Sequence, residues 1–322
     1  MAAYALRRVL WTLPVLFVVV TVVFFMMRSI GGDPLRSGPL VGLSNSIFEK
    51  SGDVQPEAIR RNQLRESELD LPWYEQYLNY LEGVATFDYG NSIARPDKSV
   101  NDILREQGPR SLELGLLAFL WAVGLGVPLG VLAALRQGSL LDTAIRFLSN
   151  VGFAVPSFLI AVVLVYVVSV KLGLLPTNGW TGGWRYKILP SFTLGLLPLA
   201  VVTRLTRGSM LEVLQEEYVR AASAKGLRRS RVVGAHTLRN ALAPVVTAAG
   251  PLLGYLVTGS FVIELVFSVP GIGRYYVASV LARDYTVVLG ITVLLALVIV
   301  LANLIVDVVH ALLDPRARTA SA

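Results

Sequence analysis

Cysteine is missing from all 322 residues, which excludes disulfides, thiolate nucleophiles and cysteine-based metal sites. Histidine occurs twice, at His236 and His310, so no His-His or His-Glu pair arises at metal-ligand spacing. The phosphate-cradling pattern Gly-x-x-x-x-Gly-Lys-Ser/Thr is absent, and no nucleophile stands beside an evident base. No catalytic, metal or nucleotide site is therefore expected in this chain. Charge is also scarce: 16% of residues are charged and 54% are hydrophobic, with a mean hydropathy of +0.61. A soluble chain of this length needs more charge to cover its surface, so the composition is that of a membrane protein.

What is present is long uncharged runs: Val9 to Met27, Leu114 to Leu135, Phe147 to Val170, Ile188 to Thr203, Asn240 to Ile263 and Tyr285 to Val306. They hold 19, 22, 24, 16, 24 and 22 residues, against about 20 for a helix that crosses the hydrocarbon core. The pattern predicts an all-α polytopic membrane protein with six transmembrane helices. The fourth run is short and contains Pro190 and Pro198, so its helix is expected to begin before Ile188 or to pass Arg204 with that side chain snorkelling. The first run begins after Arg7 and Arg8 like a signal peptide. Its uncharged length and the lack of an Ala-x-Ala site near Ser29 predict a retained helix.

Beyond the first run, Gly32, Asp33 and Pro34 read as a stop and turn, and the polar stretch to Asp53 reads as irregular. Asp70 to Val84 has helical periodicity, with Pro72 in a first turn and Trp73, Tyr77, Tyr80, Leu81 and Val84 along one side. This predicts a small helical extracytoplasmic subdomain between helices 1 and 2. Its aromatic stripe is expected to pack on the outer helix ends, with a partner-docking face as the alternative. Gly126 and Gly130 have the spacing of close helix packing, whereas Glu113 lies one turn inside its boundary as a pathway or snorkelling residue. Trp180 and Trp184 are placed as interfacial anchors, and Gly250, Pro251, Gly254 and Gly259 permit kinking and close packing in the fifth span. Pro270, Gly271 and Gly273 read as a tight turn, with Val269 and Ile272 sunk among helices. Asp307 is the expected hydrogen-bond partner of His310.

The most informative stretch is Glu217 to Pro244, too charged for lipid and too patterned for a linker. Leu211, Leu214, Tyr218, Ala221 and Ala222 recur at helical spacing, Gly226 interrupts, and Val232, Val233, Ala235, Leu238 and Leu242 form a second stripe. The small residues at 221, 222 and 224 would let another protein approach closely. Spacing alone is equally compatible with a helix pair resting on lipid headgroups.

The order Ala221, Ala222, three residues, Gly226 resembles the EAA loop of ABC-importer permeases. Arg220 replaces the leading Glu and the closing Pro falls late, at Pro244, as in the variant of dipeptide and oligopeptide importers. The Arg7-Arg8 start with its Gly-Asp-Pro exit, the FDYGNS turn at Phe87 to Ser92, VFSVPGIGR at Val266 to Arg274, ARDYTVV at Ala282 to Val288 and the ending DPRAR at 314–318 also resemble that family.

The resemblance implies type I ABC-importer permease architecture, divided as 1–28 (first helix), 29–110 (extracytoplasmic), 111–311 (core, with the coupling loop at 204–240) and 312–322 (tail). It implies Glu217, Tyr218, Arg220, Ala221, Ala222, Lys225, Gly226, Arg239, Asn240 and Pro244 as ATPase-coupling residues. Glu113, Phe267, Pro270, Gly271, Gly273 and Arg274 are outer-gate or pathway candidates. The implied partners are a homologous second permease, two cytoplasmic ATPases carrying the ATP and Mg, an extracytoplasmic binding protein and a peptide substrate, in the lipid bilayer of a bacterial or archaeal cytoplasmic (inner) membrane. Nickel or another small solute moves through permeases of the same family. An ion-coupled secondary carrier would instead require acidic or histidine residues at the bilayer midplane. The net charge of +7 records topology rather than affinity for nucleic acid.

Lys and Arg near the span ends set the orientation. With the N-terminus inside, Arg7, Arg8, Arg136, Arg146, Arg316, Arg318 and eight residues of 204–239 are cytoplasmic, against Lys171, Arg185, Lys187, Arg274 and Arg283 outside. Tags at either terminus are thus expected to resist an external protease in intact cells, while a cleavage site near Lys50 is cut. The reverse accessibility would invert the topology.

Overall fold

The structure, a computed structural model, describes residues 2–29, 70–258 and 261–313. The side chains of 2–12, His236 and 307–313 lie outside that description, as do the Gly32 to Asp53 stretch, Gly259, the Asp307–His310 pairing and the DPRAR tail. Every regular element among the described residues is a helix. In chain order these are α1 (Ala2–Ser29), α2 (Trp73–Thr86), α3 (Val100–Leu135), α4 (Leu140–Ala154), α5 (Ser157–Lys171), α6 (Arg185–Val213), α7 (Glu217–Ala224), α8 (Arg229–Ala241), α9 (Ala243–Val257), α10 (Phe261–Val266), α11 (Ile272–Leu281) and α12 (Tyr285–Leu313). The described residues form two compact units, one of those within 112–269 and 298–313, the other of those within 2–111 and 270–297.

The first unit is built around α6. This helix begins before the apolar run and continues ten residues past Thr203 to Val213, and neither Pro190 nor Pro198 breaks it. It packs against α4, α5, α8 and α9, while Arg204 lays its guanidinium 5.5 Å from the Phe153 ring. Packing between apolar helices depends on close approach, and glycine permits it. A Cβ on Gly126 would stand 2.9 Å from Val202, and one on Gly130 would stand 2.7 Å from the Thr203 carbonyl, so the pair serves packing as its spacing predicts. Gly195 meets the Ala118 carbonyl and Gly115 meets the backbone of Leu256 and Val257 in the same way. Gly250 and Gly254 face Asn303 and Ile299.

The third run departs from a single span. α4 and α5 meet at 110°, because Pro156 holds Val155 extended at φ −88°, ψ 128° and ends the helix before it. α5 finishes in a π-helical stretch, Val165–Lys171. The fifth run is likewise interrupted, with α8 and α9 bent by 48°. Trp180 is not an interfacial anchor: it is buried in the core with Leu189, Phe267 and Val269, and only Trp184 is exposed.

The second unit holds the predicted subdomain helix. α2 starts after Pro72, which itself occupies the cap position, and Phe87 closes it at φ 57°. Its aromatic stripe packs on the end of α1, as expected. Tyr80 stacks on Phe24 at 5.7 Å, Tyr77 lies 5.2 Å from the same ring, and Trp73 lies 5.9 Å from Phe25. The Tyr77 hydroxyl and Thr21 share a hydrogen bond of 2.7 Å. Asp284, buried just ahead of α12, accepts hydrogen bonds from Ser92 Oγ, the Ile93 N–H (3.1 Å) and Thr286 Oγ1 (3.0 Å), tying the FDYGNS strip to ARDYTVV. The expected tight turn is displaced: Ser268 takes the left-handed conformation at φ 54°, whereas Gly271 is extended and Gly273 lies inside α11. Val269 and Ile272 are buried, as expected.

The glycine contacts are testable. Gly115→Val drives its side chain into backbone and should destabilise the purified protein by about 1–3 kcal/mol, read as a lowered thermal midpoint in detergent. Gly124→Ala, whose Cβ meets nothing within 4 Å, should leave that midpoint unchanged.

Candidate functional site

The segment after α6 folds as a helix, a glycine turn and a helix. α6 ends at Val213, a turn spans Leu214 to Glu216, and α7 begins with Glu217 in its first turn, where its charge favours the helix dipole. Gly226 adopts φ +77°, a conformation that a Cβ opposes, and reverses the chain toward α8. α8 is π-helical over Val232–Leu238, and Thr237 Oγ1 donates to the Val232 carbonyl at 3.1 Å.

The two helices clasp through an apolar seam of Val219, Ala222 and Val232, with Val213, Leu214 and Leu227 around it. A second cluster, Met210 and Ala241 with Leu211, Val233 and Leu238, joins the helix pair to the end of α6. Asn240 Nδ2 donates to the Tyr218 hydroxyl at 2.7 Å, bringing the start of the predicted signature to its end. A cavity of about 520 Å³ lies along α7 and α8, with Arg220, Ser223 and Arg229 in its walls.

Glu217, Tyr218, Arg220, Ala221, Lys225, Gly226, Arg239, Asn240 and Pro244 are exposed. Ala222 is the exception. It is 7% exposed, because its small side chain fills the α7–α8 seam rather than facing outward. The exposed alanines available to a partner on α7 are Ala221 and Ala224.

The gate candidates do not gather into one cluster. Glu113 pairs with the Lys187 ammonium, which also lies 5.4 Å from the Trp180 ring. Phe267 is buried, and its carbonyl accepts from the Gly179 N–H at 2.8 Å. Pro270 is half-buried, Gly271 and Gly273 are buried and Arg274 is exposed. They start α11, where the Ile272 N–H donates to Ser111 Oγ at 2.8 Å. Phe267 and Glu113 belong to one unit and residues 270–274 to the other.

Besides Asp284, two buried acids are not singled out by sequence reasoning. Glu264 in α10 is fully buried. Asp142, whose side chain is 1% exposed, receives a bidentate grip from Arg207: Nε to Oδ1 at 2.7 Å and Nη2 to Oδ2 at 2.9 Å. The Gly138 N–H donates to Oδ2 at 3.0 Å, and Arg146 approaches to 3.5 Å. Ser139 caps α4 by accepting from the Asp142 N–H. The spacing Ser139-x-x-Asp142 is a helix-start signal visible in the sequence, but it names no partner 65 residues away. Among the described residues no His, Asp or Glu cluster could hold a metal.

Long apolar helices around α6, joined through buried contacts to an exposed basic helix pair, are those of a polytopic membrane protein. The chain belongs to the family of binding-protein-dependent transport system inner membrane components, which matches residues 126–319. It is 40% identical over 318 residues to the dipeptide transport system permease protein DppB of Bacillus subtilis, covering 99% of this chain and 98% of the relative. It is 41% identical to the oligopeptide transport system permease protein OppB of Haemophilus influenzae, covering 99% and 100%. Its fold matches an inward-facing structure of the MetNI methionine ABC transporter with a TM-score of 0.56 and 20% identity, over 66% of this chain and 96% of that one.

Removing one member of the buried ion pair should cost more than removing both. Arg207→Ala leaves Asp142 buried without its main partner, and about 3–5 kcal/mol of stability should be lost. The double variant Asp142→Leu/Arg207→Met should regain most of the thermal midpoint in detergent.

Proposed function

We propose that this chain is a permease subunit of an ATP-driven importer and forms half of a translocation pathway for di- and oligopeptides. Support for the substrate class comes from relatives named as dipeptide and oligopeptide permeases across the full length. A homologous second permease supplies the other half of the pathway, and an extracytoplasmic binding protein delivers the peptide. Two cytoplasmic ATPases carry the ATP and Mg and dock on the exposed face of α7 and α8. This chain catalyses nothing. Both termini are cytoplasmic.

The observation that carries the coupling role is the construction of that face. Tyr218, Arg220, Ala221, Lys225, Arg239 and Asn240 are exposed, yet the helices bearing them are locked by two apolar clusters to each other and to α6. A push on the face is therefore transmitted to α6 and α9 rather than absorbed by a flexible loop. ATPase closure moves α7 and α8 as a lever, turns the attached spans and switches access from inward to outward. The peptide crosses unaltered.

Reconstitution with the partner permease, ATPases and binding protein should give ATP-dependent uptake of short peptides. Ala221→Trp overpacks the docking face and should abolish uptake while the chain remains inserted. Normal uptake in that variant would refute docking through this face. Uptake of labelled nickel but of no peptide, across a panel varying in length and charge, would show that the substrate class is wrong.

A further inference from the structure

The second unit contains a cavity of about 540 Å³ between the end of α1, one face of α2 and the start of α12. It has the size of a small-molecule site, and its walls are mixed in a particular order. Phe24, Met27 and Leu289 give it an apolar side, and Tyr80, Tyr89 and Tyr285 an aromatic one. Gln76, Asn79, Tyr80, Gly83 and Thr86 line it from successive turns of α2.

Charge is segregated along that helix. Arg28 lines the end near Gln76, to whose Oε1 it donates at 2.8 Å. Asp88 lines the other end, where its backbone N–H bonds the Gly83 carbonyl at 3.0 Å, and Glu82 lies beside it. Gln76 and Gly83 are seven residues apart on α2, which is about 10 Å of rise. An extended chain covers about 3.3–3.6 Å per residue, so the separation of the two ends is that of two to three residues.

We propose that this cavity is an accessory extracytoplasmic site for a di- or tripeptide with both termini free. Arg28 takes the carboxylate, Asp88 and Glu82 take the ammonium, and the apolar and aromatic walls accept varied side chains. Tyr80 offers the cavity its ring, while its hydroxyl is buried out of reach of a bound peptide. The site is separate from the pathway and coupling face assigned above, and it rests on the peptide reading of the importer.

The test is a titration of the complete importer in lipid nanodiscs, without its binding protein, using tritiated trialanine. Saturable binding is expected, weakened at least ~10-fold by Asp88→Asn, by Arg28→Gln and by blocking either terminus, as loss of a charge-assisted hydrogen bond requires. N-acetyl-trialanine, which lacks the ammonium, should be indifferent to Asp88→Asn. Absence of binding, or binding insensitive to both substitutions and to blocked termini, would overturn the proposal, as would a phospholipid in the cavity that the peptide does not displace. Import of trialanine by the same preparation with the binding protein restored separates the failures. If import persists, only the accessory site falls. If no peptide is imported, the peptide reading falls and takes the site with it.

Discussion

The packing of the first unit depends on how closely one helix backbone lies to the next. Lipid tails are as apolar as leucine, so burial of leucine gives membrane helices little reason to prefer each other. Short-range attraction and shape must supply that preference, and both require small residues at the contacts. Gly126 and Gly130 of α3, Gly195 of α6, Gly115 against α9 and Gly250 with Gly254 against α12 meet this need, and Gly130, Gly195 and Gly115 have neighbouring backbone or Cβ atoms nearer than a methyl group tolerates. α6 is the partner of α3 in the first three of these contacts. That position explains why its buried face includes Ser191, Thr193, Gly195 and Ala200 beside larger apolar residues.

The existence of the spans is legible in the sequence, because an uncharged run of sufficient length has few other uses. Their bends are not. Pro156, Pro190 and Pro198 look alike on paper, yet only Pro156 breaks a helix. At Pro156 the preceding residue turns extended and the chain changes direction. At Pro190 and Pro198, both buried among neighbouring helices, packing on several sides holds α6 continuous. The same limit governs Trp180 and Ala222. Composition places a tryptophan at the interface and a small residue at a docking face, whereas tertiary contact draws both into the interior.

The basic helix pair was legible as helix, turn and helix because Gly226 and the two apolar stripes are local signals. Which face points outward was only half legible. Val219, absent from the first stripe, is buried, while Tyr218 and Ala221, both within it, are exposed. The stripe assumes that α6 continues in phase into α7. The turn at Leu214 to Glu216 resets the phase, and residues before and after it belong to different faces.

Asp142 and Arg207 complete the physical account of how the helix pair is held. α6 runs past the apolar run for three turns, and an overhang of that kind bends easily unless gripped. Met210 and Ala241 grip it from the side of α8, and Asp142 grips it from the start of α4 through two short hydrogen bonds to Arg207. The planar guanidinium fixes direction as well as distance, and a carboxylate 1% exposed cannot exchange this partner for water without leaving its site. On the function proposed, a force applied at α7 therefore reaches α6 and the start of α4 together. On the same proposal the moving part is a packed assembly of α4, α6, α7 and α8 rather than a loop attached to two spans, with the ion pair keeping α4 in register with the rest.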